Sequence, residues 1–84
     1  MNAAILMLKT ELSKSRKEFK EYQIKASRLI NELLEYANPY FGDNVSLIKA
    51  EEIEQTGNEL VIVKNKLQEL NLKIKQLMNE LGDD

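Results

Sequence analysis

The side chains in this sequence that are able to do chemistry are carboxylates and amines. Histidine and cysteine are both absent. That removes the usual general base near neutral pH, the commonest metal ligand and every thiolate site. Three groupings remain. Asp43, Glu51, Glu52 and Glu54 bring carboxylates close together, as a divalent-cation site requires, but they follow no EF-hand or other ligand spacing. They read as charges near the positive end of a helix. Lys14, Arg16, Lys17, Lys20, Lys25 and Arg28 form a basic stretch of the kind that neutralises phosphates. Glu11, Glu18 and Glu21 interleave with it, so the expected reading is a solvated helix face, with nucleic-acid association as the alternative. Pro39, Tyr40 and Phe41 make an aromatic loop, read as a plug over the end of a helical core together with Tyr36 and Val45 rather than as a recognition tip. No Gly-rich phosphate loop or metal motif is present. We therefore expect no enzyme, no catalytic residues, no cofactor, no metal and no small-molecule substrate.

These residues must be carried by helices. The chain has 84 residues, enough for one small domain, and 31% of them are charged, in near balance at a net charge of −2. Such a balance lacks the basic excess of a nucleic-acid binder. No run reaches the roughly 18 apolar residues of a membrane span, and the apolar Ala3–Leu8 stretch is read as helix rather than as a targeting segment. A cytoplasmic setting with no membrane association is expected.

One break divides the sequence. Pro39 disfavours helix at Asn38, and Gly42, Asp43 and Asn44 suit a turn. The arm before it repeats Ile5, Leu8, Leu12, Ser15, Phe19, Tyr22, Ala26, Leu29, Leu33, Tyr36 in alternating steps of three and four. The arm after it does the same through Ile53, Thr56, Leu60, Val63, Leu67, Leu70, Ile74, Leu77, Leu81. This is the heptad pattern of two helices joined at a seam of a and d positions. The prediction is all-α: an antiparallel two-helix coiled-coil hairpin in one domain, with helix 1 over about 2–37, a loop over about 38–45 and helix 2 over about 46–82. Asn44 or Ser46 would cap helix 2, with a later start near Lys49 or Ala50 as the other choice. Gly82 marks its stop.

Antiparallel partners have position numbers with a constant sum. A sum of 82 pairs a with d throughout, setting Leu29 on Ile53, Ala26 on Thr56, Phe19 on Val63 and Ser15 on Leu67. Flanking g positions then match by charge as Lys25–Glu59, Glu18–Lys66 and Glu11–Lys73, whereas the e side is less orderly, with Arg16 near Lys64. Thr56-Gly57 opposite Ala26 reads as a layer of small residues that lets the backbones approach.

The seam does not use all the apolar side chains. Ile24, Ile30 and Leu34 in the first arm and Val61, Ile62, Leu72 and Met78 in the second lie off it. Contiguous exposed apolar area usually marks an interaction surface. The expected partner is a second copy, giving a homodimeric four-helix bundle, or another protein. The expected role is a protein–protein interaction module acting as scaffold, adaptor or small chaperone-like hairpin.

Tyr40-Phe41-Gly42, set between two long helices, resembles the aromatic-x-Gly loop of small secreted hairpins of the Trp-x-Gly type. The resemblance implies a dimeric four-helix bundle and a secreted effector or carrier. The defining tryptophan and the C-terminal Tyr-x-x-x-Asp/Glu export signal of that group are absent here.

Overall fold

A computed structural model describes residues 3–37 and 48–82. They form two long helices, α1 over Ala3–Ala37 and α2 over Ala50–Leu81, packed side by side as a helical hairpin. The molecule measures 69 × 18 × 14 Å, two helices wide and one thick. The predicted loop residues Asn38 to Val45, Tyr40 and Phe41 among them, lie outside the described residues, as does the Ser46 cap.

α2 begins at Ala50 and not near position 46; Ile48 and Lys49 are not helical. Its first turn holds Glu51 and Glu52, whose charges suit the positive helix end. Lys49 occupies the N-cap position without a side-chain cap, and its carbonyl accepts from the Ile53 N–H at 3.0 Å. The acidic turn thus sets the start where the sequence offered a capping residue further back. At the other end Gly82 closes the helix with φ 78, a left-handed conformation that glycine adopts without a Cβ penalty. Its N–H donates to the Asn79 and Met78 carbonyls.

The core is one line of side chains. Leu12, Ser15 and Leu29 are buried on α1, and Thr56, Val63, Leu70 and Leu77 on α2. Leu29 is fully enclosed at 0% exposure. Leu8, Phe19, Tyr22, Ala26, Leu33, Ile53, Leu60, Leu67 and Ile74 are half-buried. Ile5, expected in the seam, is 43% exposed instead. It belongs to the last turn before the open end of the hairpin, where no further layer packs over it among the described residues.

Glu11 and Lys73 meet across the seam at 2.6 Å, as the expected charge pairing sets them, and the Lys49 ammonium lies 5.9 Å from the centre of the Tyr36 ring. Phe19 and Ala26 share the walls of one groove with Leu60 and Leu67. Gly57 does not serve close backbone approach within the hairpin, since a Cβ added there would meet nothing within 4 Å.

Candidate interaction surface

A helix turns about 100° per residue, so positions on either side of the buried line project to opposite sides of the two-helix ribbon. On one side lies the Glu11–Lys73 pair. Both side chains are about half exposed, and the bond draws their titrations apart. The hydrogen bond and charge of Lys73 hold the Glu11 carboxyl below its ordinary value, and the hydrogen bond to Glu11 raises the Lys73 ammonium. Of the other two charge pairs set by the sequence, neither closes. Lys66 lies 3.9 Å from Glu69 on its own helix, and Lys25 and Glu59 form no ion pair among the described residues. Lys25 instead lines a shallow hollow with Glu18, Glu21 and Tyr22.

The other side carries an open trough of about 510 Å3, walled by Phe19, Ala26 and Ile30 of α1 and by Leu60, Lys64, Leu67, Gln68 and Asn71 of α2. It is mostly apolar, and its walls hold no carboxylate. Nearer the open end of the hairpin, Lys9, Leu12, Ser13, Arg16 and Leu81 surround a second hollow. Lys9, Arg16 and Lys64 form no ion pair among the described residues.

The seven off-seam apolar residues do not form one surface. Six are exposed, from 46% at Ile30 to 68% at Ile62, and Met78 is half-buried. Ile30 lines the trough. Leu34, one turn beyond Ile30, and Val61, three residues before Lys64, project to the same side, as does Met78, one turn beyond Ile74. Ile24 and Leu72 point to the outer edges of their helices, and Ile62 to the opposite side.

The basic stretch of α1 is likewise dispersed. Arg28 pairs with Glu32 at 3.7 Å, whereas Lys14 and Lys17 border a hollow with Lys9, Thr10 and Ser13. Among the described residues no three acidic side chains gather as a metal site, and no helix is long and apolar enough to cross a membrane.

The basic charge on the trough side of the ribbon, with Lys64 in the trough wall and Lys9 and Arg16 at the neighbouring hollow, was absent from the expectations drawn from sequence. The signal was present in the e positions, where Lys9, Arg16 and Lys64 recur beside Ile30 and Gly57. No known protein family model matches this chain, and neither a curated protein nor a solved structure matches it.

Proposed function

We propose that the chain is a non-catalytic protein–protein interaction module, a helical hairpin that acts as scaffold, adaptor or small chaperone-like binder. The observation that carries this reading is the apolar trough with Ile30, Leu34 and Val61 uncovered beside it. A single buried line of side chains gives a small domain little stability to spare, and covering the trough would add apolar burial at about 25 cal/mol per Å2. Further helices laid over it would complete a four-helix bundle. In the simplest form of the reading a second copy supplies them, with two-fold symmetry.

Affinity capture from the native cell tests the module reading. One dominant protein should be retained by the wild-type chain and lost when Ile30→Asp and Val61→Asp are combined, with helicity kept. Equal retention by the double variant would count against this surface. Sedimentation equilibrium tests the two-copy form, which a folded monomer at micromolar concentration would exclude.

A further inference from the structure

We propose that the trough between Phe19 and Ala26 of α1 and Leu60 and Leu67 of α2 receives an acidic amphipathic helix from another protein. The inference rests on the interaction-module reading and names the chemistry of the partner.

The shape of the site points to a helix. The trough is open along its length and follows three turns of each helix, with its floor made by seam residues that the hairpin alone leaves half-covered. An extended apolar groove between two helices suits the apolar stripe of a third, read as anchors at i, i+3, i+4 and i+7.

The charge of the site points to an acidic helix. On this side of the ribbon the e and b positions carry Lys9, Arg16, Lys20, Lys64 and Lys75 against the single carboxylate of Glu54. None of the five cations forms an ion pair among the described residues. A partner helix with Asp or Glu flanking its apolar stripe would set opposite charge against both rims, which steers encounter and selects partners.

The same charges disfavour the symmetric alternative. A second copy laid face to face would bring five cations and one carboxylate against an identical set.

Gly57 adds an independent observation. It lies within α2 one turn before Leu60 and Val61, on the trough side, where a Cβ would meet nothing in the hairpin. Glycine lowers helix stability, so the hairpin by itself gains nothing from it. A backbone without a Cβ on that side lets a docked helix come closer than an alanine would.

The test uses two synthetic peptides of about 20 residues, long enough to span the trough as helices. Both carry the same Leu and Ala stripe, one flanked by Glu and the other by Lys. Binding to the full chain is followed by fluorescence anisotropy. The Glu peptide should bind at least about tenfold more tightly and lose affinity as salt rises. Combining Arg16→Glu with Lys64→Glu should reverse the preference, whereas Lys17→Glu, on the outer surface of α1, should leave it unchanged. Gly57→Ala should weaken the Glu peptide while the melting temperature of the free chain holds or rises. Equal binding of the two peptides, or indifference to the Arg16 and Lys64 reversals, would overturn the proposal. So would stronger binding to anionic vesicles or duplex DNA than to the Glu peptide. If neither peptide binds and sedimentation shows self-association that Ile30→Asp abolishes, the acidic helix is wrong and the module reading stands. If peptides, copies and captured proteins all fail to bind, both readings fall.

Discussion

The two sides of the hairpin seam are built from the same repeat and are finished in opposite ways. On the g side six carboxylates and three lysines alternate closely enough for Glu11 and Lys73 to join across the helices. On the e side the charges are almost all of one sign, and apolar side chains stand uncovered between them. A flank with mixed charge satisfies itself and presents a solvated surface. A flank with cations and open apolar area leaves both to be satisfied from outside. The contrast separates the part of the sequence that closes the hairpin from the part that remains available.

The largest effects should come from the buried line that divides the two sides. Leu29→Ala removes a fully enclosed side chain and should cost about 2–5 kcal/mol in urea unfolding. Leu34→Ala, at an exposed site one turn from the trough residue Ile30, should stay within about 0.5 kcal/mol. If the two losses are equal, the division between core and open side is wrong. Next, Ser15→Leu forces extra volume into a buried site and should cost about 1–3 kcal/mol, read as a lowered urea midpoint at constant slope. With Ser15 facing Leu67, as a position sum of 82 sets it, Leu67→Ala should rescue that variant better than Leu70→Ala; the reverse outcome would mean that the helices pair at a different offset.

Smaller effects separate the flanks themselves. Gly57→Ala should stabilise the free chain by about 1 kcal/mol, because the new methyl meets open space and alanine favours helix. Loss of stability would mean that the trough side is more closely packed than it is here. The smallest change is expected at Glu11→Gln, since both members of the Glu11–Lys73 pair are solvent-accessible. Its pH dependence is nonetheless specific. Glu11 has a lowered folded value, so its contribution is present above the ordinary carboxylate value and is lost as pH falls through the folded one. Lys73 is raised, so its contribution is present below the ordinary lysine value and is lost as pH rises through the folded one. Melting temperatures of wild type and Glu11→Gln should therefore differ by a constant amount between those limits, converge beyond the acid one, and converge at all pH in high salt.

Much of this arrangement is legible in the residues. Alternating steps of three and four mark both helices, Pro39 marks their separation, and Gly82 marks the stop of α2. The start of α2 was misjudged because two local signals compete: a capping side chain at Asn44 or Ser46, and an acidic turn at Glu51 and Glu52. Nothing in helical periodicity ranks them. The register was legible through charge, since Glu11 and Lys73, one of the three g pairs expected across the seam, meet at 2.6 Å. A heptad repeat fixes which stripe of a helix is covered but allows the partner to slide. The open side was hidden by treating the seven off-seam residues as one set, although their helical positions already sort Ile30, Leu34, Val61 and Met78 from Ile24, Ile62 and Leu72.

The hairpin also prescribes an order of assembly. Tyr36 and Lys49 approach one another across the shortest stretch of chain that the fold closes, whereas Glu11 and Lys73 are 62 positions apart. Loop-closure entropy grows with the length enclosed, so each layer becomes cheap to form only after its neighbour nearer the turn has closed. Folding should run as a zipper from Tyr36 toward Leu8, with native contacts in the transition state concentrated at Leu29 and Thr56 and nearly absent at Leu12 and Leu77. The far end is then the first to open. A partner that grips the trough at Phe19 and Leu67 would hold the hairpin shut beyond its midpoint, and slow its unfolding more than it speeds its folding.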